Sequence, residues 1–162
     1  MTREQFKDIF DKHFDEVRNY IYYRSGDTEL ATDIAQDTFI KLWEKQFDIV
    51  NGKIKGLLFK IAGDLFISSY RKQKTAMNFQ LNMKPETPGI TPEEQLQFNE
   101  LQATYNKALG NLPEKQRVVF LMSRLEELKY REIAERLEIS IKAVEKRMKN
   151  ALEYLRQAMN YA

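Results

Sequence analysis

Asp33 and Asp37 stand four residues apart, a spacing that on a helix sets two carboxylates one above the other on the same face. Such a pair can serve acid–base catalysis or hold a metal ion. Either use needs further groups, and no histidine, third carboxylate cluster or glycine-rich phosphate loop joins them. The chain has one histidine, His13, and no cysteine, so zinc sites, thiolate centres and disulfide frameworks drop out. No catalytic residue, metal or cofactor is expected. Gln36, Ile40 and Glu44 share the face of the two aspartates, with Trp43 at its edge. An exposed isoleucine among carboxylates marks either a solvated acidic face with one stray apolar residue or a docking surface for a basic protein partner.

Two other clusters carry positive charge. Lys60, Arg71, Lys72 and Lys74 are interleaved with Phe59, Phe66 and Tyr70. Aromatic stripes at helical spacing are usually core, yet rings that stack on bases beside cations that hold phosphates are also what single-stranded DNA requires. Further on, residues 131–137 and 141–148 have the layout of a helix-turn-helix with a three-residue turn, Glu138-Ile139-Ser140, and Ser140 placed to cap the second helix. On that helix Val144, Met148, Ala151, Leu152 and Leu155 form an inner stripe. Lys142, Ala143, Lys146, Lys149 and Asn150 face outward, where a cationic surface can meet bases and phosphates.

The elements that must position these groups are all helical. Phe6, Ile9, Phe10, Phe14, Val17 and Ile21 mark a first amphipathic helix, broken by Ser25-Gly26-Asp27-Thr28. Leu30, Ala31, Ile34, Thr38, Phe39 and Leu42 point inward from a second, and Leu57, Leu58, Ile61 and Leu65 from a third. Gln46 to Lys55 reads as a loop between them. Three of the four prolines, Pro85, Pro88 and Pro92, fall within Thr75 to Glu94, a linker composition. About 20 extended residues reach roughly 66–72 Å, so the halves could occupy well-separated sites. The fold class expected is all-α: two small helical domains, 1–74 and 96–162, joined by a flexible linker at 75–95.

Charge is segregated along the same lines. Residues 1–50 carry 7 basic and 11 acidic groups, 51–74 carry 6 and 1, 75–112 carry 2 and 4, and 113–162 carry 11 and 8. Two separated contacts with a polyanion would produce that alternation. The first residues contain no apolar signal segment, and no run approaches the roughly 20 apolar residues of a membrane span. A cytoplasmic protein without membrane insertion is expected.

Taken together, the motifs resemble the extracytoplasmic-function subfamily of sigma-70 RNA polymerase sigma factors. Asp33-Ile-Ala-Gln-Asp37-Thr-Phe-Ile-Lys-Leu-Trp43 resembles the polymerase-binding helix of region 2, and Leu57 to Ala62 with Tyr70-Arg-Lys72 the segments that open and read the −10 element. Leu112-Pro113, Arg117 to Phe120 and Tyr130 to Arg147 are similar to region 4, the −35 reader. The resemblance implies that Asp33, Gln36, Asp37 and Ile40, with Trp43 beside them, grip the clamp helices of the largest polymerase subunit. It implies that the loop from Phe47 to Lys55, with Lys53 and Lys55, helps to hold a base flipped from the −10 strand. Lys60, Asp64, Tyr70, Arg71, Lys72 and Lys74 would continue that −10 surface. Ser140, Lys142, Ala143, Lys146, Arg147, Lys149 and Asn150 would form the −35 surface.

The chain departs from the family pattern in places. Gly63-Asp64 replaces the usual Arg-Asn, Ser68-Ser69 replaces Asp-Tyr, and Lys129 and Glu138 stand where a capping Ser or Thr and a turn Gly are common. The function expected is promoter recognition in partnership with core RNA polymerase and promoter DNA, with an anti-sigma factor as a further partner implied by the resemblance. The alternatives are a stand-alone helix-turn-helix regulator that binds DNA without polymerase, and a helical interaction or enzyme module built on Asp33 and Asp37.

Overall fold

The computed structural model describes residues 1–46, 53–70, 79 and 89–160, and among them every regular element is a helix. In chain order these are α1 (Arg3–Ser25), α2 (Thr28–Lys45), α3 (Ile54–Tyr70), α4 (Pro92–Asn111), α5 (Glu114–Leu125), α6 (Tyr130–Leu137) and α7 (Ile141–Asn160). Their ends follow from local chemistry. Thr2 and Gln5 exchange side-chain and backbone hydrogen bonds of 3.1 and 2.9 Å, a capping box that starts α1. Gly26 ends α1 in the left-handed region (φ 71°), and Asp27 caps α2 by accepting from Leu30 N at 3.1 Å. These two residues fold α1 and α2 into an antiparallel hairpin. Thr91 and Glu94 form a second capping box, with Pro92 in the first turn of α4.

Two cores result. Val17 and Ile21 of α1, Ala31, Ile34, Phe39 and Leu42 of α2, and Leu58, Ala62 and Phe66 of α3 are buried together. Phe6 and Phe10 enclose Phe39 with edge-on ring contacts of 6.4 and 5.1 Å between centroids. The second core joins Leu109, Leu112, Val119, Leu121 and Met122 to Ile133, Ala134, Val144, Met148 and Ala151. Of the α1–α3 residues expected inward, Ile9, Val17, Ile21, Ala31, Ile34, Thr38, Phe39, Leu42 and Leu58 are buried and the rest half-buried, whereas on α7 Leu152, expected inward, is 43% exposed.

The two halves are in contact, α1 with α5 and α3 with α6. Tyr23, in the last turn of α1, is 2% exposed and belongs to the second core rather than the first. Phe79, inside the span expected to be a linker, is equally buried, with its ring 5.5 Å from that of Tyr22. Helix α4 starts within the same span, at Pro92. The other residues of 75–88 lie outside the described residues.

Candidate functional site

On α2 the buried positions Ala31, Ile34, Ala35, Thr38, Phe39 and Leu42 leave Asp33, Gln36, Asp37 and Ile40 on the solvent side. Ile40 is 52% exposed. Trp43 is divided: its ring meets Phe6 edge-on at 5.2 Å while 37% of the residue stays accessible. The face therefore combines two carboxylates, an amide, an isoleucine and one side of an indole, with no covering element of this chain among the described residues. Its chemistry suits a partner that is cationic at its rim and apolar at its centre.

Of the expected −10 residues, Lys53, Lys55, Lys60 and Asp64 are exposed along α3 and its start. Lys55 lies 4.0 Å from Glu16 of α1. Phe47 to Gly52, Arg71, Lys72 and Lys74 lie outside the described residues, and Tyr70 is the last residue of α3. Phe59 and Phe66, weighed as possible stacking rings, are buried, Phe66 at 1% exposure, so both are core.

The helix-turn-helix is formed as the spacing predicts. Ser140 Oγ accepts from Ala143 N at 3.0 Å and caps α7. Lys129 offers no side-chain acceptor at the start of α6, and Glu132 compensates by accepting from Lys129 N at 3.0 Å. Glu138 takes the left-handed turn (φ 55°) that glycine would adopt without strain. Lys142, Lys146 and Lys149 are exposed, whereas Ala143, Arg147 and Asn150 are half-buried. Arg147 lines a hollow with Tyr20 and Arg24 of α1.

Sequence reasoning missed the residues that join the halves. Arg117 of α5 is 1% exposed and donates to Tyr23 O at 2.7 Å, Arg24 O at 2.8 Å and Leu112 O at 2.8 Å. It thereby satisfies carbonyls at the end of α1 that have no acceptor role left in the helix, and sets a cation at the negative end of that helix dipole. Arg24 pairs with Glu114 and stacks over the Phe66 ring at 4.6 Å. Tyr23 OH donates to Glu126 at 3.1 Å; burial, and then the Glu126 charge, push its pKa far above the phenol range. Arg136 of α6 bridges Glu126 at 2.9 Å and Glu16 at 3.7 Å. For Glu16, burial acts to raise the pKa, but the His13 hydrogen bond and the charges of Arg136 and Lys55 outweigh it and hold the carboxyl below its ordinary value. The signal for this pin was present as Tyr22-Tyr23-Arg24 after an otherwise complete stripe, but no pattern says what such residues face.

Residues 9–76 match the model of sigma-70 region 2, and residues 103–155 that of sigma-70 region 4. The ECF RNA polymerase sigma factor SigW of Bacillus subtilis is 31% identical, with 97% of this chain and 90% of that protein covered. This chain belongs to the extracytoplasmic-function sigma factors of the sigma-70 family. The ferric citrate uptake sigma factor FecI of Escherichia coli is 27% identical over 92% of the chain and 87% of that protein. In fold, the sigma factor RpoE, solved with the anti-sigma factor NepR from Bartonella quintana, matches at TM-score 0.63 and 22% identity over 97% of this chain and 98% of that one. CnrH, solved with the cytosolic domain of CnrY, matches at TM-score 0.64 and 19% identity over 99% and 90%. As a sigma factor the chain directs promoter-specific transcription initiation. Among the described residues no helix is long and apolar enough to cross a membrane.

Proposed function

We propose that this sigma factor divides its work between two surfaces. Asp33, Gln36, Asp37, Ile40 and Trp43 dock on core RNA polymerase, and Ser140, Lys142, Ala143, Lys146, Arg147, Lys149 and Asn150 read the −35 element. Lys53, Lys55, Lys60 and Asp64, with the Tyr70 to Lys74 segment, hold the opened −10 strand. Region 2 function belongs to 1–74 and region 4 function to 96–162. The protein performs no covalent chemistry and works in the cytoplasm, and an anti-sigma factor, as in the complex of RpoE with NepR, is its expected regulator.

The observation that carries the reading is the α2 face, where Ile40 is 52% exposed between carboxylates and covered by no described part of the chain. Ile40 and the open side of the Trp43 indole, one helical turn apart, give that acidic face an apolar centre, which supports a partner with an apolar centre and a basic rim. The test is a separation of function. Asp37→Lys inverts charge at an exposed helix position, so folding changes by less than about 1 kcal/mol while capture by core polymerase weakens. Lys146→Glu leaves capture intact but sets a negative charge against the −35 groove, and run-off transcription from a −35-dependent promoter is lost. Equal capture of both variants, or normal initiation by Lys146→Glu, overturns the assignment of faces.

A further inference from the structure

The second helix of the helix-turn-helix presents two exposed side chains beyond those assigned to −35 reading. On α7, Val144, Met148, Ala151 and Leu155 are buried, while Ile141, Lys142, Glu145, Lys146 and Lys149 are exposed. Glu145 is the only carboxylate between positions 141 and 152. It stands one turn from Lys142 on one side and from Lys149 on the other, the spacing at which helix ion pairs form. Among the described residues it is nevertheless joined to neither within 4.0 Å. Ile141, the first residue of α7, is 45% exposed and lies one turn before Glu145. Side chains four apart on a helix stand one above the other, with Cβ atoms roughly 5–6 Å apart, so the carboxylate and the branched apolar chain form one small patch beside the lysines.

A carboxylate in a major groove offers only acceptors and is repelled by the phosphates on either side, so it must meet a donor on a base edge or weaken the complex. Guanine presents N7 and O6 there and thymine presents O4, all acceptors. Adenine offers the N6 amino group, but its N7 lone pair stands next to it. Cytosine offers the N4 amino group with only its C5–H edge alongside. That edge is one an isoleucine can cover without stripping water from a polar atom. We propose that Glu145 is a specificity-determining residue of this sigma factor: its carboxylate accepts from N4 of one cytosine in the −35 element while Ile141 packs on the C5 edge of the same base. The inference rests on the assignment of α7 to the −35 element. Lys142, Lys146 and Lys149 supply attraction to the phosphates at any sequence, and Glu145 subtracts affinity wherever the groove shows it an acceptor. A negative charge set into a cationic face thus serves discrimination rather than strength.

The test is initiation by the full chain with core polymerase on a promoter library randomised across the −35 element, with the templates of the transcripts sequenced. At one position the parent is expected to favour cytosine on one strand over each other base by about tenfold. Glu145→Gln keeps the size of the side chain but turns the carboxylate into an amide, which pairs with adenine through N6 and N7. The preference at that position alone should then pass from cytosine to adenine. Ile141→Ala should narrow the cytosine margin at the same position by about threefold, since less apolar surface covers the C5 edge. The same base profile in the parent and in Glu145→Gln, a fall in yield with every preference kept, or a Glu145-sensitive position that favours another base overturns the role of Glu145. A cytosine margin that Ile141→Ala leaves intact overturns the shared contact on one base. Parent transcripts that show no preference at any −35 position overturn instead the assignment of α7 to that element, and the proposal with it.

Discussion

Arg117→Met removes a guanidinium that is 1% exposed and replaces it with an unbranched apolar chain that fills much of the same space. Three carbonyls, of Tyr23, Arg24 and Leu112, lose a charged donor at 2.7–2.8 Å. Leaving a buried acceptor unsatisfied costs about 1–3 kcal/mol each, and not holding a guanidinium away from water returns part of that sum. The net expectation is about 3 kcal/mol, or roughly 6–12 °C in Tm for a chain of this size. Arg117→Lys keeps the charge but loses the fork that reaches three acceptors, and should recover less than half of the loss. Two of the three acceptors lie across the junction on α1, so the loss also uncouples the halves: calorimetry should resolve two transitions in Arg117→Met where the parent shows one. Urea unfolding within about 0.5 kcal/mol of the parent, or a lysine variant as stable as arginine, would show that the pin does not hold the halves together.

Phe79→Ala empties a site bounded by Tyr22 and the Arg117 guanidinium, whose carbon lies 5.1 Å from the ring centroid, and should cost about 3 kcal/mol in urea unfolding; a cost under about 0.5 kcal/mol would return Phe79 to the linker. Glu16 has its folded pKa below the ordinary 4.5, so its contribution is complete above that value and is lost as pH falls through the folded pKa. Glu16→Gln should flatten the parent's loss of stability below about pH 4.5, as followed by thermal melts at stepped pH. Glu138→Gly relieves a left-handed turn and should raise stability by about 1 kcal/mol, read from the urea midpoint at constant slope.

Most of each helix was legible because burial repeats along it. Val17, Ile21, Ile34, Phe39 and Leu58 are interior for the same reason that they recur at three- and four-residue intervals. Capping chemistry was legible too: Ser140 does what an oxygen at that position does. Leu152 shows the limit of periodicity, since a stripe four residues wide can outrun the partner it packs on, and here it borders a hollow among α4, α5 and α7. The junction was illegible for a different reason. Tyr23, Phe79 and Arg117 are far apart in sequence, and a buried arginine reads on a helical wheel as an exposed one; only the carbonyls it meets distinguish the two. Within 75–88 only Phe79 is described, and that ring is buried where the composition predicted a linker.

Gly63 ties the two kinds of information together. Where the family pattern usually carries arginine in the −10 segment, this chain has a glycine, which from sequence alone bears only on DNA reading. In the fold, a Cβ at 63 would lie 3.3 Å from Arg24 Nη1, and the same guanidinium is held by Glu114, by Tyr20 OH at 3.3 Å and by the Phe66 ring. A side chain at 63 would meet the end of that guanidinium, which would have to give by a few tenths of an ångström. Gly63, which from sequence bears on the proposed −10 surface, thus also lies against the guanidinium whose ion pair with Glu114 joins α1 to α5.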